Sequence, residues 1–214
     1  QVREGVLLCA LAPGGASATL IAARMRADAA VAAAVVIATT ATSVVLTPLL
    51  VAAVLGGGDA STMFAVAGRA GLTALAYQAL PLALGVLVRR LHPGAATRLL
   101  PWTSRIANAA LAVLVVGLLA TRSAELLAVG VAGLTLALIV TLAGLGLGVL
   151  AAPRAPESTR MALGVTTAIR SLSLALVIAA HHFPEPGTTQ GILVYGLLMY
   201  LTTLGLAQWR LRGP

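Results

Sequence analysis

Lysine is absent from this sequence and acidic side chains nearly so: all 14 basic residues are arginine, and only 6 residues are Asp or Glu. Charged residues make up 9% against a hydrophobic share of 59%, and the mean hydropathy is +1.01. A water-soluble domain carries a charged share of about 25%. This chain cannot cover itself with water and must use lipid as its outer solvent. A single cysteine, Cys9, excludes an intrachain disulfide and a thiolate metal cluster; it reads as a small apolar residue within a helix. Also missing are paired carboxylates inside an apolar run, a Gly-rich phosphate loop and a nucleophile spaced to meet a base. That leaves no enzyme chemistry to assign and no cofactor to call for. The apolar runs do not alternate with period two, which argues against a β-barrel. The net charge of +8 is no nucleic-acid footprint either, because the arginines gather at the ends of apolar runs rather than along a stripe.

What is present is a series of long apolar runs. About thirty residues without charge separate Asp28 from Asp59, nearly as many separate Glu125 from Arg154, and over twenty separate Glu185 from Arg210; about twenty suffice to cross a hydrocarbon core as a helix. The fold class is therefore all-α integral membrane protein with about seven spans, near residues 4–23, 29–55, 63–91, 103–121, 125–151, 159–182 and 188–209. Turn chemistry divides them: GGGD at 56–59, HPG at 92–94, PRAPES at 153–158 and PEPG at 184–187. The chain opens at Gln1 with apolar sequence almost at once and no signal-peptide pattern, so we expect helices to precede it in a longer protein.

Alternating loops sort the arginines. Arg24, Arg26, Arg89, Arg90, Arg98, Arg105, Arg154, Arg160, Arg210 and Arg212 fall on one side, and Arg3, Arg69 and Arg122 on the other. The richer side belongs in the cytoplasm, which puts the C-terminus there and Gln1 outside. Trp102 and Trp209 fall at the cytoplasmic interface, where amphipathic rings settle.

Two spans carry residues that a plain anchor has no use for. The first, LLCALAPGGASATLIAARMR at 7–26, has Pro13, Gly14 and Gly15 near its middle. Pro13 removes a backbone donor and the glycines let the chain open. Freed amides and carbonyls must then face protein or a watery cavity, as in the broken helices of secondary transporters; a packing kink is the plainer reading. The sixth span holds Arg170 about halfway along, where an arginine costs about 2.5–3.5 kcal/mol to insert. Thr166, Arg170 and Ser173 share one helix face, with Thr167 and Ser171 beside them. Such a stripe can line a cavity that takes an anion, or Arg170 can clamp the carbonyls of a broken partner helix. The second span adds hydroxyls at Thr39, Thr40, Thr42, Ser43 and Thr47, with Pro48 expected to kink it. His181 and His182, adjacent and so about 100° apart on a helix, read as interface residues rather than a chelating pair.

These segments, in this order, resemble the bile acid:sodium symporter family. PGGASAT at 13–19 is similar to the signature of its fourth helix, SVVLTPLL at 43–50 to the end of its fifth, YQALPLALGVLVRRLHP at 77–93 to its sixth, and 160–183 to its ninth. The resemblance implies helices four to ten of a ten-helix inverted-repeat transporter, in which the fourth and ninth helices are broken and cross where two sodium ions bind. Residues 1–62 would close the first repeat with core-type helices, 63–121 would be panel-type, and 122–214 core-type with the second broken helix. The family's Glu-x-x-x-Gln-Asn pattern aligns with Thr166, Arg170 and Ser171, its Ser-Asn with Ala18 and Thr19, and a fifth-helix Thr with Thr40. A carboxylate has become a hydroxyl and a neutral amide a fixed cation, which weakens both ion sites.

The resulting expectation is a secondary carrier of an organic anion in a bacterial-type inner membrane, with the lipid bilayer as its partner and sodium coupling weakened or lost. Thr19, Thr40, Thr166, Thr167, Arg170 and Ser171 are expected at the crossing, and Pro13, Gly14 and Gly15 at the helix break. Alternatives are an efflux carrier for arsenite or another small solute, using Cys9, and a non-transporting scaffold or sensor. Substrate, direction of transport and oligomeric state are not legible.

Overall fold

A computed structural model of the chain describes residues 1–55, 61 and 80–212. Described residues form α1 (Val2–Leu11), α2 (Ser17–Arg24), α3 (Ala29–Leu55), α4 (Leu80–Leu91), α5 (Pro93–Ala128), α6 (Gly130–Leu150), α7 (Glu157–Ala168), α8 (Leu172–His182) and α9 (Pro186–Arg212). Among them there is no strand, and the all-helical class stands. Most of the span expected over 63–91 lies outside the described residues, as does Arg69.

Helices α6 and α9 are each long and apolar enough to cross a membrane, and α3 qualifies as a third if its bent halves count as one span. Its axis turns by 57° between Ala29–Ser43 and Val45–Val51. The cause is in the sequence: Pro48 has no N–H to offer the carbonyl one turn back, at Val44.

Small residues set the packing. On the α1–α9 face a Cβ on Gly5 would collide with the Thr188 carbonyl, and on the α6–α7 face a Cβ on Gly148 would collide with the Leu163 carbonyl. Backbones can approach that closely only through such residues, which is how membrane helices associate where lipid removes the hydrophobic drive. Between these faces lies a core that includes Val6, Leu8, Ile21, Val165, Ile169, Ile192 and Tyr195. Large apolar side chains point outward on the other faces, among them Val45, Leu46, Ile139, Leu147 and Trp209, as lipid requires.

The α2–α3 corner shows how local chemistry ends one helix and starts the next. Arg26 takes φ 53°, the Ala27 amide reaches back to the Ala22 carbonyl at 2.9 Å, and α2 stops in a left-handed cap. Asp28 then accepts from the amides of Ala30 (3.0 Å) and Val31 (3.1 Å) to open α3.

Several boundaries differ from the sequence reading. The fourth span was expected at 103–121, yet α5 runs from Pro93 through Pro101 and Arg122 to Ala128. Proline at the first helical position costs no hydrogen bond, so HPG interrupts the chain only at His92. Arg122 and Glu125 do not stop a helix, since Arg, Ala, Glu and Leu all favour one; the break waits for Gly130, with φ 73°. The expected start of the fifth span at 125 therefore moves to Gly130. Residues 4–23 and 159–182, expected as two spans, are each split into two short helices.

Candidate functional site

The two splits meet. Pro13 forces its predecessor out of the helical region, and Ala12 accordingly sits at φ −69°, ψ 154° and closes α1. Ile169 (φ −89°, ψ 111°) and Ser171 (φ −75°, ψ 95°) are extended between α7 and α8. The extended pieces pair antiparallel at Gly14 and Arg170. The Gly15 amide donates to the Ile169 carbonyl at 2.9 Å, and the Ser171 amide donates to the Pro13 carbonyl at 2.8 Å. Two broken helices thus satisfy each other's backbone where lipid could not.

Glycine is required at the contact. A Cβ on Gly15 would lie 2.9 Å from the Arg170 carbonyl oxygen, and one on Gly14 would lie 3.3 Å from both the Thr166 carbonyl and the Thr39 hydroxyl. The Gly14 amide donates to that hydroxyl at 3.3 Å, while Thr39 donates to the Val35 carbonyl at 2.8 Å.

Helix breaks strand carbonyls, and several here have a protein donor. The Leu11 carbonyl accepts from Thr47 at 3.1 Å. The Ala12 carbonyl accepts from Nη1 of Arg170 at 3.2 Å, and Pro13 is served by Ser171. On the other break the Ala168 carbonyl accepts from Tyr195 at 3.1 Å, and Ile169 is served by Gly15. Tyr195 itself is buried on α9. The Arg170 amide points at the Met199 sulfur, 3.4 Å away.

The antiparallel pairing also sets the dipoles. It brings the C-terminal end of α7 beside the N-terminal end of α2, and the C-terminal end of α1 beside the N-terminal end of α8. Partial charges of about half a unit thus face partners of opposite sign. Arg170 is half-buried, and no ion pair to it is found among the described residues.

The expected site residues distribute as follows. Pro13, Gly14, Gly15, Arg170 and Ser171 form the crossing itself. Thr166 is buried beside it, but its hydroxyl turns back to the carbonyls of Ala162 (2.8 Å) and Leu163 (3.0 Å), and Thr167 does the same with Leu163 at 2.8 Å. Thr19, half-buried on α2, bonds the Ala16 carbonyl at 2.8 Å. Thr40 is buried on α3, one residue round from the Thr39 that contacts the break. Ser171 lies 3.3 Å from Ser173, hydroxyl to hydroxyl. Sequence reasoning did not single out Tyr195, Met199 or the contact between Ser17 and Tyr200 at 2.9 Å; the polar tips on α9 were the available signal. Cys9 is fully buried on α1. Among the described residues no group of His, Cys, Asp and Glu could hold a metal ion. The side chains of His181 and His182, like that of Arg122, lie outside the described residues.

A pair of discontinuous helices crossing inside an apolar bundle is the architecture of a secondary membrane transporter. The model of the sodium bile acid symporter family matches residues 1–129, and the chain belongs to that family. It is a multi-pass membrane transporter of the bile acid symporter type. The match takes in Pro13 to Gly15 and ends before Arg170. Among curated proteins none matches the chain.

Proposed function

We propose that the chain is the larger part of a carrier that moves an organic anion and uses Arg170 in place of a sodium ion. On this reading its about seven spans correspond to helices four to ten of a ten-helix inverted repeat. Residues 1–62 and 122–214 contribute to the core and 63–121 to the panel, and the core rocks against the panel around the crossing. The C-terminus faces the cytoplasm of a bacterial-type inner membrane.

One observation carries this reading: carbonyls freed at both breaks, those of Leu11, Ala12, Pro13, Ala168 and Ile169, are bonded to protein donors, and one of those donors is a guanidinium. Sodium takes oxygen ligands. A fixed cation on the Ala12 carbonyl uses one and repels a mobile cation nearby. Thr166, aligned with the family's carboxylate, has its hydroxyl engaged by its own helix. The positive charge left at the crossing suits an anionic solute, with Thr19, Thr40, Thr167 and Ser171 as the nearby hydroxyls. Arsenite efflux through Cys9 is not favoured, because that thiol is fully buried.

The test is thermal unfolding of the purified protein in sodium against potassium or choline at matched ionic strength. A ligand at a hundredfold excess over its dissociation constant stabilises by about 2.7 kcal/mol. Equal unfolding in all three salts, with stabilisation by organic carboxylates or sulfonates, is the expected result. A sodium-specific rise defeats the proposal. Stabilisation by no solute at all favours a scaffold over a carrier.

A further inference from the structure

We propose that the corner between α4 and α5 is a docking site for an anionic phospholipid, whose headgroup phosphate is gripped by Arg98 and Arg105 across Trp102. The inference is independent of what the crossing transports.

Length is the first argument. Helix α5 has 36 residues, about 54 Å at 1.5 Å each, against a hydrocarbon core of about 30 Å. Its charged start before Ile106 has no reason to enter hydrocarbon and belongs at headgroup depth. Register is the second: Arg98, Trp102 and Arg105 stand at i, i+4 and i+7, on one face. All three are exposed, Trp102 by 62%. The Arg105 guanidinium lies over the Trp102 ring, 5.5 Å from its centroid. Stacking of this kind holds the cation by its face and leaves the edge donors for a planar pair of phosphate oxygens.

Charge is the third argument. Arg89 and Arg90 end α4 just across His92, and no Asp or Glu occurs between Asp59 and Glu125. The phosphate would therefore meet several arginines with no competing carboxylate in that stretch. Shape of the ligand is the fourth. Leu99 and Ile106 are exposed by 53% and 67% on the face beside that stripe. A soluble anion has no use for these, whereas a lipid places its chains along them.

Native mass spectrometry of the whole chain in mild detergent, with phosphatidylglycerol and phosphatidylcholine supplied in equal amounts, tests this directly. The unaltered protein is expected to retain phosphatidylglycerol in preference. The double variant R98Q/R105Q should lower that ratio by roughly tenfold or more, on the order expected for two basic contacts to anionic headgroups. R24Q/R154Q removes the same charge from two other exposed arginines and should keep the preference. Equal retention of both lipids by the unaltered protein overturns the proposal, as does an equal loss in both double variants. Displacement of phosphatidylglycerol by inorganic phosphate overturns it too, in favour of a soluble-anion site. Should R98Q/R105Q fail to fold, W102A carries the test and is expected to weaken the preference.

Discussion

Single residues at the crossing differ in what they tolerate. Gly15 faces backbone that cannot move aside, with the Arg170 carbonyl 2.9 Å from any added Cβ. Gly15→Ala is therefore expected to destabilise the protein by at least about 1–3 kcal/mol, measured as thermal unfolding in detergent. Gly146 on α6 has open space where its Cβ would go, so Gly146→Ala should instead stabilise by about 0.5–1 kcal/mol. Arg170 donates a charged hydrogen bond to Ala12. Arg170→Gln should cost about 1.5–3 kcal/mol in the same measurement. Adding Thr166→Glu to that variant returns the family's carboxylate and amide together. The pair is expected to gain sodium-specific stabilisation that neither single change confers, and its absence would show that these two positions do not suffice to make a sodium site. The chemistry of Arg170 was legible in the sequence, because a cation midway along an apolar run demands an explanation. Its partner was not, since a backbone carbonyl on a distant helix leaves no mark on composition. Thr40 against Thr39 is a similar case: in a helix apolar on all sides, periodicity fixes the pitch but not which hydroxyl faces inward.

At the scale of elements, the two breaks were unequally legible. Pro13 and the glycines after it announce the first, because the residue before a proline leaves the helix for steric reasons. The second break, at Ile169, Arg170 and Ser171, contains no glycine or proline. Its antiparallel pairing with the α1–α2 break and the α9 side chains behind it hold it open, and a tertiary cause cannot be read from local sequence; the family resemblance alone points to it. The long α5 is hard to read for the opposite reason: charges at its two ends look like boundaries, although helices carry charge readily. Side chains that service the freed carbonyls should matter more than their ordinary propensities suggest. Thr47→Val leaves the Leu11 carbonyl without its donor, and Tyr195→Phe does the same to Ala168. Each is expected to lower stability by about 1–3 kcal/mol, the usual cost of an unpaired buried polar group. A loss no larger than that of an exposed Thr135→Val control would mean that water or a rearranged neighbour takes over.

For the whole molecule, the pairing of helix ends at the crossing has an electrical consequence. Opposed dipoles cancel in pairs, and the guanidinium of Arg170 is then the net charge of the crossing among the described residues. On the function proposed above, an empty carrier would present that charge to the membrane field, whereas one loaded with a monovalent anion would be close to neutral there. Voltage would then act mainly on the unloaded return, at about 2.3 kcal/mol per unit charge per 100 mV if the full field is traversed. Electrometry on proteoliposomes should register charge movement in the absence of solute and its suppression by saturating anion, a pattern that Arg170→Gln should abolish. In a sodium-coupled carrier the cell's ion gradient drives the loaded step; on the function proposed above, the resting potential would instead bias the empty step, towards the conformation that brings Arg170 electrically nearer the cytoplasm.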